Sequence, residues 1–129
     1  MTLRNIPQRF TPYAHGLLRI AAALLFLQHG TAKLFGVPHV AMFDGLKLIS
    51  LLGAAGVIEL LGGILILLGL FTRPVAFILS GQMAVAYFLF HAGKAFWPIL
   101  NGGELAALYC FVFLFFAAAG PGAFALDRE

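Results

Sequence analysis

Read for apolar and polar positions, the chain resolves into four long apolar runs, at about residues 17–35, 49–71, 74–92 and 103–119, separated by shorter polar stretches. Each run is close to the ~20 residues a helix needs to cross a bilayer. Together they predict an all-α membrane protein, a four-transmembrane-helix bundle forming a single domain over residues 1–129. The first run, LLRIAAALLFLQHGTAKLFG, is interrupted by Arg19, His29 and Lys33. On a helix turning about 100° per residue, these three and Gly30 fall within an arc of roughly 100°, with Gln28 on the opposite face. A charge at the bilayer centre costs at least ~2.5 to 3.5 kcal/mol, so this stripe must meet partners, water or an interface.

The second run carries one charge, Glu59, about halfway along GVIELLGG. Gly56, Gly62 and Gly63 lie on its side of the helix, which lets a neighbouring backbone approach closely. In the third run Ser80, Tyr87 and His91 share a face, Tyr87 and His91 as an i,i+4 pair, and Gln82 lies opposite. Glu104 opens the fourth run, where Phe111, Phe113, Phe115 and Phe116 read as packing and lipid contact. Pro7 and Pro12 discourage a continuous helix through the N-terminal lead-in. The connection after Gly36 is the longest, and its MFDGL portion suits a short interfacial turn. FTRP is the tightest connection, with Pro74 suited to a first helical turn, and it makes spans two and three antiparallel neighbours. Trp97 reads as a headgroup-level anchor. Gly120 and Pro121 stop the last helix before a short charged tail.

Composition agrees: the chain is 62% hydrophobic and only 10% charged, against the ~25% charged of ordinary soluble domains. The first run is long enough to span and reads as retained rather than as a cleaved signal peptide. Cys110 is the single cysteine, which excludes an intrachain disulfide and CxxC redox chemistry. With the N-terminus inside, Arg4, Arg9, Arg73 and Arg128 stand on the inner side against Lys33, Lys47 and Lys94 outside, and Arg19 adds to the inner count. Both termini are therefore expected to be cytoplasmic.

Depth sharpens the candidate site. At 1.5 Å per residue, Lys33, His91 and Glu104 lie roughly 10 Å from the midplane, His29 and Tyr87 roughly 5 Å, and Glu59 near it. His29, Lys33, Glu59, Tyr87, His91 and Glu104 thus form the candidate ligand-binding or proton-relay set, in one half of the bilayer. A quinone headgroup, a proton path or a polar small ligand would suit it. Structural readings stand beside this one: the lysines and Arg19 can snorkel to headgroups, and Glu59 can serve a helix-fixing ion pair. His29 or Lys33 is the expected partner of Glu59. Arg19, Gly30, Gly62 and Gly63 are expected to anchor or pack, while Gln28 and Gln82 should lie outside the site. Haem is not expected from two histidines at different depths, nor a metal from the interfacial His15 and His39. The expected partners are the lipid bilayer and a protein partner or second copy, with no nucleic acid.

The blocks LLRIAAALLFLQHGTAKLFG, GVIELLGGILILLGLFTRP, GGELAAL and GPGAFALDR resemble, in order and spacing, the DoxX family of small bacterial membrane proteins. The matching residues are Arg19, Gly30, Lys33, Glu59, Gly62, Gly63, Gly103, Glu104, Gly120, Gly122 and Asp127. The resemblance implies a four-helix bundle of the bacterial cytoplasmic (inner) membrane, with some relatives acting as subunits of quinol- or thiosulfate-linked oxidoreductases and others tied to redox homeostasis. It therefore implies an accessory subunit of a quinone- or thiol-linked redox complex, not catalytic alone. The rival readings are a small proton-coupled transporter or permeability factor and a structural scaffold.

Overall fold

A computed structural model describes residues 7–128; Arg4, which entered the count of inner charges, lies outside the described residues. A 3-10 turn, Gln8–Phe10, leads into α1 (Thr11–Phe35). After a second 3-10 turn, Ala41–Phe43, come α2 (Leu51–Leu68), α3 (Thr72–Phe90), the short α4 (Pro98–Asn101) and α5 (Glu104–Ala119). The helices α1, α2 and α3 are long and apolar enough to cross a membrane, and α5 is a shorter apolar helix of 16 residues. The result is a helical membrane bundle. The lead-in differs from expectation, because α1 starts at Thr11 rather than near residue 17. Pro12 sits in its first turn, where the missing N–H would have no partner in any case. The Ser50 hydroxyl caps α2 by accepting from the Gly53 N–H at 3.0 Å, an N-terminal device worth about 1 kcal/mol.

Packing is most extensive between α1 and α2 and between α3 and α5, with α2 against α3 joining the two pairs. Glycine sets the first contact. A Cβ on Gly30 would stand 2.8 Å from the Leu60 backbone nitrogen and 3.1 Å from the Gly56 carbonyl oxygen, so the α1 and α2 backbones touch there. Gly62 and Gly63 do different work, receiving the side chains of Leu79 from α3 and Leu27 from α1. Between α1 and α5 the space is filled by rings: Phe26 lies 4.9 Å from Phe113 and 5.3 Å from Tyr109, both edge-on. Phe113 and Phe116 are fully buried while Phe111 is 68% exposed. The aromatic run therefore splits into a core face and a lipid face.

The tail is not a free charged end. Residues 120–127 fold back across one end of the bundle, with Ala123 N–H donating to Pro12, Leu126 N–H to Leu68 and Asp127 N–H to Gly69. Arg19, wholly buried, ties them down. Its Nε donates to the Ile66 carbonyl at 2.9 Å, Nη1 to those of Pro121 and Ala123, and Nη2 to that of Phe124 at 2.8 Å. Arg19 does not snorkel, because the fold offers its guanidinium three tail carbonyls outside any helix together with that of Ile66 in the last turn of α2, which also accepts from the Gly69 N–H, and a fork of five donors matches such a set. At the same end the Asp127 carboxylate accepts from the Phe71 and Thr72 N–H groups at 2.8 and 2.9 Å, capping α3 from the far end of the chain. Burial alone would raise this carboxyl; the N–H donors of Thr72 and Phe71, with the Arg19 charge, hold it below its ordinary value of 3.8.

Candidate functional site

Two polar side chains, His29 and Lys33, stand one turn apart on α1. Lys33 Nζ donates to both carboxylate oxygens of Glu59 on α2, at 2.6 and 2.7 Å. The two side chains are 10% and 3% exposed, so Lys33 bridges helices instead of reaching for headgroups. This pairing agrees with the partner expected for Glu59. From the loop side, the Phe43 ring on the Ala41–Phe43 turn lies 5.4 Å from Nζ, a distance at which a cation and an aromatic face attract.

The third member overturns an expectation. Gln82 on α3 was expected on the face away from the site, yet its Nε2 donates to Glu59 Oε1 and to the Ala55 carbonyl, both at 3.3 Å. The reason is that α3 is packed on two sides. Ser80, whose hydroxyl donates to the Cys110 carbonyl at 2.7 Å, faces α5; Gln82 faces α2. The side opposite the Ser80 stripe is thus a second protein contact.

Beside the ion pair, His29 turns its ring edge-on to Tyr109 of α5, with centroids 6.1 Å apart at 90°. Tyr109 is 5% exposed. His29 Nε2, the Tyr109 hydroxyl and Gln82 Oε1 are buried with no hydrogen-bond partner. Tyr109 was not among the sequence candidates. Its signal was present: a phenol one turn before Phe113 shares the core face of α5, where its hydroxyl has to find a partner.

The remaining candidates sit elsewhere. Asn101, 2% exposed, donates from Nδ2 to the Tyr87 hydroxyl and the Ala95 carbonyl, each at 3.1 Å, and accepts from the Gly103 N–H at 2.7 Å. His91 Nδ1–H donates to the Asn101 carbonyl at 3.1 Å. Tyr87 and His91 therefore belong to a clasp that closes the connection from α3 to α5, and Asn101, its centre, was missed. A Cβ on Gly103 would lie 2.6 Å from the Tyr87 ring, which explains a glycine there. Glu104 is exposed and borders a shallow depression with Pro98, Ile99, Gly102, Leu105 and Leu108. Of the six sequence candidates, the structure gathers His29, Lys33 and Glu59, and adds Gln82 and Tyr109 to them.

The DoxX family profile matches residues 15–92, which take in Arg19 and the cluster as far as Gln82 but stop short of Tyr109 and the tail. A Haemophilus influenzae protein described as an uncharacterized protein is 49% identical, covering 97% of this chain and 96% of its own length. The inner membrane protein YphA of Escherichia coli is 33% identical, covering 88% of this chain and 87% of its own. No solved structure matches the chain.

Proposed function

The chain belongs to the DoxX family of membrane proteins, and from that premise we propose that it is an accessory inner-membrane subunit of a quinone- or thiol-linked redox complex, taking a quinone-like headgroup at His29, Lys33, Glu59, Gln82 and Tyr109. The inner membrane is supported by the apolar helices and by the name of the similar E. coli protein; the lysine and arginine count favours cytoplasmic termini.

One observation carries the ligand reading. His29 Nε2 and the Tyr109 hydroxyl are buried without partners, on rings whose centroids are 6.1 Å apart, and each unmet group costs about 1 to 3 kcal/mol. A carbonyl on a flat apolar ring fits, since it accepts from both while its ring lies against aromatic carbon such as that of Phe26. When bound, a quinone supplies two-electron, two-proton chemistry. Within this chain, Tyr109 and His29 orient the headgroup by donating to it, and the rings between α1 and α5 keep water away. Glu59 can hold or release a proton at Oε1, where the Lys33 ammonium and the Gln82 amide both reach it. A partner protein supplies the electrons.

The test is a titration of the purified protein in mild detergent with a short-chain quinone. Affinity should fall about 5- to 150-fold in His29→Ala and in Tyr109→Phe, the equivalent of 1 to 3 kcal/mol, and be unchanged in Gln28→Ala, whose side chain is exposed. Absence of quinone affinity in the wild type would overturn the reading. In that event, proton flux into liposomes that disappears in Glu59→Gln would make the chain a small transporter, and a stably co-purifying partner without flux would make it a scaffold.

A further inference from the structure

Across the bundle from the Lys33 end, where the tail is strapped down, a groove of about 870 Å³ opens between the start of α1, the start of α3 and the returning tail. Its polar wall is made by Gln8, Thr11, His15 and Arg73. The two basic side chains are fixed there. His15 Nε2–H donates to the Gly120 carbonyl at 2.8 Å, with its ring stacked 5.8 Å from that of Phe116. Arg73 donates to the Ala118 carbonyl. Arg9 and Arg128 are exposed near the same end, and the carboxylate of Asp127 is committed to the first N–H groups of α3.

What lies beneath the groove decides the ligand class. One turn from Arg73 toward the bilayer, Phe77 is 67% exposed; one turn from the groove residue Ala119, Phe115 is 47% exposed and touches His15 at 5.0 Å. A basic, hydrogen-bonding head thus continues into an apolar wall at lipid depth. A free anion would use only the upper part, whereas a phospholipid uses both.

We propose that this groove binds an anionic membrane phospholipid, its phosphate held by Arg73, Thr11 and the protonated His15 ring, which donates from Nδ1–H while Nε2–H stays on the Gly120 carbonyl, and its acyl chains lying over Phe77 and Phe115. Arginine favours phosphate through charge-assisted, often paired hydrogen bonds, and basic recesses at the interface are suited to acidic headgroups. The proposal is independent of the ligand taken at Glu59.

Native mass spectrometry of the full chain in mild detergent, with phosphatidylglycerol and phosphatidylethanolamine at equal concentration, tests it. Phosphatidylglycerol should be retained at least fivefold over phosphatidylethanolamine. That preference should disappear in Arg73→Gln and in His15→Gln and persist in Lys47→Gln and Lys94→Gln at the other end, while Phe77→Ala, which reaches only the acyl chains, should lower the retention of both lipids. His15→Gln can still donate to Gly120, so it reads the site even if Arg73→Gln misfolds. Equal retention of the two lipids in the wild type, or an equal loss in Lys47→Gln, would overturn the proposal. Displacement of the lipid by millimolar inorganic phosphate, with Phe77→Ala behaving as wild type, would show a free-anion site instead and overturn it as well.

Discussion

Lys33→Met, with Glu59 left in place, puts the ion pair between α1 and α2 under the most direct strain. At 2.6 Å and an effective dielectric near 20, the bare attraction is about 6 kcal/mol. Most of that is offset by the cost of taking both charges from water, so the pair as a whole adds little. The lone carboxylate is another matter. Glu59, 3% exposed, would keep only the Gln82 amide at 3.3 Å, and breaking a buried pair in this way typically costs about 3 to 5 kcal/mol. Glu59→Leu should cost less, about 1 to 3 kcal/mol, because the Lys33 stem is flexible and its ammonium can swing toward the loop interface. The double variant Lys33→Met/Glu59→Leu should recover to within about 1 to 2 kcal/mol of wild type, since two apolar side chains of similar volume replace the pair. Reversible unfolding in mixed micelles, followed by circular dichroism, measures all four corners of this cycle. A loss below about 1 kcal/mol in Lys33→Met, or a double variant as unstable as the two singles summed, would refute the reasoning. Quinone affinity on the same proteins separates fold from function: a stable double variant that binds as wild type does would leave the pair a helix-fixing device.

Two further predictions concern the tail. Arg19→Lys keeps the charge but cannot reach four carbonyls with one ammonium, so it should destabilise by about 2 to 5 kcal/mol and speed proteolysis within residues 120–126; a wild-type cleavage pattern would contradict it. Asp127→Asn should cost about 0.5 to 2 kcal/mol at neutral pH, the size of a lost helix cap. Because the folded carboxyl titrates below its ordinary 3.8, that contribution is complete above the ordinary value and is lost as pH falls through the lower folded one. The stability gap between wild type and Asp127→Asn should therefore be flat at neutral pH and close in acid, and a gap that widens in acid would contradict the assignment.

Much of the fold was legible because a bilayer imposes few solutions. Four apolar runs of spanning length admit little besides a helical bundle, and the tight FTRP connection made α2 and α3 neighbours. Helix starts were less legible, since a proline reads as a break or as a first-turn residue according to what precedes it, and Pro12 proved the second. The tail was not legible at all. Its order rests on carbonyls of residues 121, 123 and 124 meeting a guanidinium from residue 19, and no local pattern encodes a contact across that much chain.

The site was half legible, for a reason that lies in helix geometry. Periodicity tells which residues share a face, not which neighbour the face meets. In a bundle a helix such as α3 touches two others, so Ser80 and Gln82 are both turned to protein although they point apart. A shared face is not a shared site either: Arg19 and Lys33 lie on one stripe of α1 but roughly 20 Å apart along its axis, and they hold opposite ends of the molecule. This separation decides where function should be sought. Arg19, Gly122 and Asp127, which carry part of the family resemblance, are spent on closing the fold: the first through four carbonyls, the second where any Cβ would strike His15, the third as a cap. Asn101, Tyr87 and His91 are likewise consumed in a loop clasp. Among the described residues, four side chains have a buried polar atom with no hydrogen-bond partner, His29, Thr72, Gln82 and Tyr109; Thr72 lies at the tail end beside Asp127, whereas the other three come from three helices around a charged pair. Since closing the fold accounts for the first two groups and leaves this one unsatisfied, substitutions that probe a ligand belong here.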